Sequence, residues 1–288
     1  MPIEIRPYDK PLGAEISGIN LSKDLSGATF KEVYQAFIDY KVLIFREQDI
    51  TPQNHLEISQ RFGPLERLYA EDQRVEGFPD IAILSNEVVD GKHIGVVAAG
   101  DFWHSDISYR EETSLATFLY GLKIPNIGGD TEFADMQNGY NTLSEEIKGR
   151  IKNLKGIHQA SKLGNKRVEV TRPGAVEYYK KQSTIENICH PLVRTHPISG
   201  RLGLYLSPRF TIGIEGMDET NADPLLDLLF NHVTEEKNIY QHKWRLGDFV
   251  LWDNRCVNHR ACGGYGVDDI RLLHRTSTKG DKPYFNGG

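Results

Sequence analysis

Phe30, Val33, Tyr34 and Phe37 recur at the i, i+3, i+4, i+7 spacing of one helical face, and Ser26 ahead of them carries the hydroxyl that an N-cap requires. The pattern predicts a helix from Ser26 that Lys41 ends. The uninterrupted apolar run Val42-Leu43-Ile44-Phe45 then predicts a short buried strand. Thr51 before Pro52 marks the start of a second helix, with Gly63 as the stop after Phe62. Further strands are expected at Ile3–Tyr8, Ile81–Ser85 and Thr113–Leu122, and the turn at 125–130 should lead into another through Phe133. Ser144–Leu154 reads as a helix, and Pro191–His196 with Gly203–Leu206 reads as a hairpin around Pro197–Arg201. Asp218–Val233 is the last helix, 247–252 turns into a core strand, and Arg271–Ser277 is the closing strand.

Many short strands, with helices mostly early and late, predict a mainly β fold with flanking helices, a β-sandwich or jelly roll. No repeat, low-complexity tract or linker divides residues 1–288, so a single domain is expected. Two stretches lack periodicity. The segment near 86–101 is expected to be a mobile loop leading into the strand that follows, and that near 162–188 an insertion or lid.

Composition narrows the function classes. A net charge of −6 without a basic stripe argues against a nucleic-acid partner. No apolar run approaches a membrane span, and the first residues lack a basic-then-apolar leader, so a cytoplasmic protein is expected. Cys189, Cys256 and Cys262 fit neither a disulfide framework nor a zinc site, and buried or inert thiols are expected.

The candidate chemistry centres on Phe102-Trp103-His104-Ser105-Asp106. In an extended strand His104 and Asp106 would point to one face, where both could ligate one metal ion. A second histidine would complete a two-His, one-carboxylate triad, which leaves positions open on iron(II). Trp252-Asp253-Asn254-Arg255-Cys256-Val257-Asn258-His259-Arg260 and Arg271-Leu272-Leu273-His274-Arg275 are the stretches that could supply the remainder.

Together with Gly128-Gly129-Asp130-Thr131-Glu132-Phe133, Gly13-Ala14-Glu15-Ile16, Val42–Arg46 and Arg61-Phe62-Gly63-Pro64-Leu65, these motifs resemble those of the taurine dioxygenase and 2,4-dichlorophenoxyacetate dioxygenase family over nearly the whole chain. The resemblance implies a double-stranded β-helix core. It also implies an enzyme that uses Fe(II), 2-oxoglutarate and dioxygen to oxidise an unactivated C–H bond of a small organic acid, with release of succinate and carbon dioxide. It makes His104, Asp106 and His259 the metal ligands, Thr131 and Arg271 the clamp on the distal carboxylate of 2-oxoglutarate, and Arg275 the partner of an anionic substrate.

Tyr69 is a further substrate-side candidate. The taurine enzyme has a His shortly after its Phe-Gly motif; here Pro64–Tyr69 contains none, so taurine itself is not the expected substrate. If Arg275 instead serves the protein, its partner would be a carboxylate such as Asp101 or Glu132. Asp253 and Asn254 are expected to orient the turn that presents His259. The alternatives are a metal-binding jelly-roll sensor or storage protein, and a zinc hydrolase on the same ligands. Partners are expected to be a small, anionic substrate, with no nucleic acid and no membrane, in a homo-oligomer.

Overall fold

The computed structural model of the chain describes residues 3–97, 100–161, 165–167, 180, 183–266 and 268–287. Its largest element is an eight-stranded sheet in the order Glu4–Pro7, Ala14–Ser17, Val42–Phe45, Phe249–Asp253, Ser114–Lys123, Leu272–Lys279, Phe78–Ser85 and Arg74–Val75. Its neighbours are antiparallel except Ala14–Ser17 against Val42–Phe45. The central strands read as continuous apolar runs because both faces of this sheet are covered. Alternation sends Leu43, Phe45, Phe118, Phe249 and Leu251 outward beneath helices Gly27–Tyr40 and Pro52–Gln60, where they meet Phe37 and Phe62. Burial of each of these side chains contributes about 1.5–3 kcal/mol. The alternate residues Val42, Ile44, Leu119, Val250, Trp252 and Leu273 point inward.

Inside, they pack on Phe133, Tyr240 and Val257, which belong to a facing three-stranded sheet of Ile239–His242, Thr131–Asp135 and Val257–Ala261. A third cluster joins the hairpin Val193–Thr195/Leu202–Leu204 to helices Met136–Asn141 and Glu219–Val233. The strands Ile188–Pro191, Lys155–His158 and Thr211–Ile214 form another small sheet. The protein is thus mainly β with flanking helices. Among the described residues, no helix is long and apolar enough to cross a membrane.

The local signals act as their chemistry predicts. Ser26 accepts from the Thr29 amide, and Thr51 and Asn54 form a reciprocal capping box. Lys41 ends the first helix in a left-handed conformation (φ 69°), its N–H on the Phe37 carbonyl. Its ammonium turns inward to the buried Asp135 carboxylate at 2.6 Å, and the other Asp135 oxygen caps Met136–Asn141. The polar interruption after the first helix is therefore a buried ion pair.

Several boundaries move. The second helix stops at Gln60, the helix capped by Ser144 spans only Glu145–Ile151, and the strand ending at Ser85 begins at Phe78. The stretch near 86–101 is not a loop throughout. It holds the two-residue ladder Val88–Val89 with Lys92–His93, and Val96 bridges to Leu84. Most of 162–188 lies outside the described residues. Cys256 is buried, but Cys262, just past the end of Val257–Ala261, is exposed, and Cys189, on the edge strand Ile188–Pro191, is only partly covered.

Candidate active site

His259 sits on Val257–Ala261, opposite Phe133 of Thr131–Asp135. On its free edge it exchanges both backbone hydrogen bonds with His104, at 3.0 and 2.8 Å. Directly opposed residues of an antiparallel pair present side chains on one face, and the two imidazole centroids lie 4.2 Å apart. The pairing ends there. The His-x-Asp segment is not the extended strand expected from its spacing. It is a single bridge followed by a turn over 106–109, in which Ile107 takes a left-handed φ of 44°. That turn brings the Asp106 carboxylate beneath both rings. Its Oδ1 lies 3.6 Å from His104 Nε2 and 3.9 Å from His259 Nε2.

Each of the three side chains is fixed from behind. His104 Nδ1 lies 2.6 Å from the Phe102 carbonyl, so the proton sits on Nδ1 and the Nε2 lone pair faces Asp106. Asp106 Oδ2 accepts from the Thr117 hydroxyl at 2.6 Å, and Thr117 accepts from Asn254 Nδ2 at 2.9 Å. Asn254 Oδ1 in turn accepts from the Asp106 amide and from Trp252 Nε1. His259 packs on Trp252 at 4.5 Å between centroids. The Asn254 side chain therefore orients Asp106, while Asp253, bound by its own Arg255 and by His196, shapes the turn before His259.

Burial lowers the proton affinity of both histidines, His259 most strongly, so both are neutral near pH 7. Burial alone would raise Asp106. The Arg275 guanidinium, with the Thr117 hydroxyl, outweighs it and holds the carboxyl below its usual range. Two neutral imidazole lone pairs and one carboxylate oxygen, within 4.8 Å of one another and buried, are a donor set for a divalent cation. In His259 it is Nε2 that faces Asp106 Oδ1, at 3.9 Å, while the buried Nδ1 has no hydrogen-bond partner among the described residues. Donors within the same distance also occur at His196, Asp253 and Cys256, but both Asp253 oxygens there are taken by Arg255.

Two arginines flank the triad. Arg271 is buried, its Nε donating to the Gly129 carbonyl at 3.0 Å, and among the described residues no carboxylate lies within ion-pair reach of it. Burial depresses its pKa for the same reason. It lines a cavity of about 80 Å³ with Leu84, Ser85, Val96, Asp101 and Gly129. The wall of this cavity needs glycine. Gly129 has φ +74°, and a Cβ there would lie 3.2 Å from Arg271 Cδ. Thr131 stands two residues from Phe133, the cross-strand partner of His259, which places it about 7 Å along the strand from the metal-ligand pair. Its hydroxyl accepts from Trp244 Nε1 at 3.0 Å.

Arg275 is buried on the other side, with Nη2 at 2.8 Å from Asp106 Oδ1 and its guanidinium 5.5 Å from the Tyr69 ring centroid. Its carboxylate partner is Asp106, since Glu132 pairs with Arg260 at 2.6 Å. The predicted residues thus assemble. His104, Asp106 and His259 meet at one point, Arg275 adjoins it with Tyr69 beside its guanidinium, and Arg271 and Thr131 stand apart from it with Trp244 between them. Thr117, Trp244 and the aromatic pair Phe210 and Tyr109, with Phe210 5.9 Å from His104, were not legible in advance. For Thr117 a signal existed, a lone hydroxyl inside the apolar run Ala116–Tyr120.

Residues 4–277 match the family described as "Taurine catabolism dioxygenase TauD, TfdA family". The chain belongs to the TauD/TfdA family. It is 31% identical to the alpha-ketoglutarate-dependent 2,4-dichlorophenoxyacetate dioxygenase of Cupriavidus pinatubonensis, over 98% of this chain and 99% of that protein. It is 30% identical to an alpha-ketoglutarate-dependent sulfate ester dioxygenase of Pseudomonas putida, over 98% of this chain and 91% of that one. The crystal structure of AAD-2 in complex with Mn(II) and N-oxalylglycine superimposes with a TM-score of 0.79 at 30% identity, covering 98% and 99% of the two chains. That solved structure shares the mainly β architecture described above.

Proposed function

We propose that this protein is an iron(II)- and 2-oxoglutarate-dependent dioxygenase that hydroxylates a C–H bond of a small organic anion, converting 2-oxoglutarate and dioxygen to succinate and carbon dioxide. The observation that carries the proposal is the pairing of a neutral His, Asp, His donor set with a buried arginine that has no carboxylate partner among the described residues. A bare metal-storage site or a zinc hydrolase has no use for such an arginine. We read the two facing sheets as a jelly-roll core and the chain as one domain. The segment 86–101, which contributes Val96 and Asp101 to the cavity, serves as its lid.

His104, Asp106 and His259 would hold the metal, and the iron, when bound, supplies the activation of dioxygen with 2-oxoglutarate as reductant. The protein supplies binding and orientation. Arg271 neutralises the distal carboxylate of 2-oxoglutarate in a site where an unpaired charge is costly, and the Thr131 hydroxyl adds a second donor. The Phe102 carbonyl keeps the His104 proton on Nδ1, and Thr117 holds Asp106 Oδ2 so that Oδ1, which Arg275 also reaches at 2.8 Å, is the oxygen aimed at both histidines. Phe210, Tyr109 and Trp252 exclude water around the reacting position.

Arg275 and Tyr69 receive the anionic end of the substrate. The relatives named for 2,4-dichlorophenoxyacetate, (S)-phenoxypropionate and sulfate esters act on compounds that carry one negative group, which is the chemistry a buried guanidinium selects. The test is a screen of carboxylates, sulfonates and sulfate esters for substrate-dependent succinate formation in the iron-loaded protein. Stimulation by anionic compounds is expected. Stimulation only by uncharged or cationic compounds would remove the role of Arg275.

A further inference from the structure

We propose that Trp244 is the positioning residue of the co-substrate clamp, joining its two halves through one indole; this rests on the dioxygenase reading above. The indole touches both residues assigned to the distal carboxylate. Its Nε1–H donates to Thr131 Oγ1 at 3.0 Å, and its ring lies 5.8 Å from the Arg271 guanidinium.

The first contact sets a direction. A hydroxyl has one hydrogen to give and two lone pairs to receive, and an indole N–H can only give. With the indole on one lone pair, the Thr131 hydrogen is left to donate, which is what a carboxylate requires of a neighbouring hydroxyl. The second contact gives a buried cation an aromatic face where, among the described residues, it has no carboxylate.

The indole is itself held. His242 meets it edge-on at 4.7 Å between centroids and 89° between planes. Both His242 nitrogens are engaged, Nε2 by Asp248 and Nδ1 by the Tyr240 hydroxyl, each at 3.1 Å. On another side the ring packs over Gly121, where a Cβ would sit 3.4 Å from Trp244 Cε3. Trp244 thus has little freedom to turn, and the hydroxyl it orients is fixed before any ligand arrives.

The test is calorimetric titration of N-oxalylglycine into the Mn(II)-loaded full-length protein, with 2-oxobutyrate, which lacks a distal carboxylate, as the second ligand. Trp244→Phe keeps a ring beside Arg271 and removes the N–H. It should weaken N-oxalylglycine about three- to tenfold, the range of one net hydrogen bond, and leave the affinities for Mn(II) and 2-oxobutyrate unchanged. Because the effect passes through Thr131, the Thr131→Val, Trp244→Phe double variant should bind N-oxalylglycine no more weakly than Thr131→Val alone. Unchanged N-oxalylglycine affinity in Trp244→Phe, an equal loss for both ligands, or additive losses in the double variant would each overturn the inference. Failure of the unmutated protein to bind N-oxalylglycine would instead overturn the dioxygenase reading beneath it.

Discussion

Thr117→Val is the sharpest test of how the metal site is built. Valine replaces the hydroxyl with a methyl of nearly the same size, so the strand Ser114–Lys123 and its packing are retained. Three bonds are lost. Asp106 Oδ2 loses a donor at 2.6 Å, Asn254 Nδ2 loses its acceptor at 2.9 Å, and the Ser277 hydroxyl loses a longer contact at 3.3 Å. A hydrogen bond to a buried charged group is worth about 1.5–3 kcal/mol, or about 10- to 150-fold in a binding constant. Loss of outer partners of metal ligands typically weakens metal binding by about 10- to 100-fold, so the two ranges agree. Asp106 is then gripped only at Oδ1, by Arg275 at 2.8 Å, so the carboxylate can pivot about that contact and Oδ1 is no longer aimed between the two histidines. Mn(II) titration followed by electron paramagnetic resonance should show a dissociation constant raised by about tenfold or more, and Thr117→Ser, which keeps the hydroxyl, should restore most of it. If Thr117→Val binds Mn(II) as tightly as the unmutated protein, Asp106 is not oriented by this network and the reasoning fails.

Three further outcomes are expected. Arg271→Ala removes one member of a buried charged pair, a loss of about 2–5 kcal/mol, and should raise the apparent constant for 2-oxoglutarate by roughly 30-fold or more; steady-state kinetics showing no change would place the clamp elsewhere. Arg275→Gln should raise the constant for an anionic substrate while leaving that for 2-oxoglutarate nearly unchanged, and substrate-independent 2-oxoglutarate consumption should persist; loss of both together would make Arg275 a support for Asp106 alone. Burial lowers His55 to about 3, and His190 and His274 to about 4, from an unfolded value near 6.5. Below about pH 6.5 the unfolded chain binds protons that the fold refuses, so stability must fall as pH drops towards 4. Urea unfolding of the metal-free protein should lose at least ~2 kcal/mol between pH 7 and pH 5, and a flat or rising profile would show that these histidines are not buried neutral.

Much of the fold was legible because its elements announce themselves locally. Ser26, Thr51 and Asp218 each accept the amide bond expected of an N-cap, and Val42–Phe45 is buried on both faces as an unbroken apolar run demands. What was not legible depends on partners far along the chain. The spacing of His104 and Asp106 suggested a strand. The same-face geometry comes instead from one bridge to His259 and a turn, neither of which has a local signature. Arg275 could be assigned to the interior from its alternation with Leu273, but its partner Asp106 could not, because the ion pair joins the closing strand to the distant turn over 106–109. Trp244 lies outside every recognisable motif and owes its position to the pairing of Ile239–His242 with Thr131–Asp135. Long-range register, more than residue choice, separates what the chain reveals from what only the structure does.

The most direct test of the central claim is succinate formation from 2-oxoglutarate under air by the purified protein with one equivalent of Fe(II), compared with Asp106→Ala under the same conditions. The account predicts iron-dependent succinate formation by the unmutated protein, increased by an anionic substrate. Asp106→Ala should show neither turnover nor stoichiometric binding of the metal, because it removes the one charged donor that His104 and His259 both face. Undiminished succinate formation by Asp106→Ala, or none from the unmutated protein with iron bound, would contradict it.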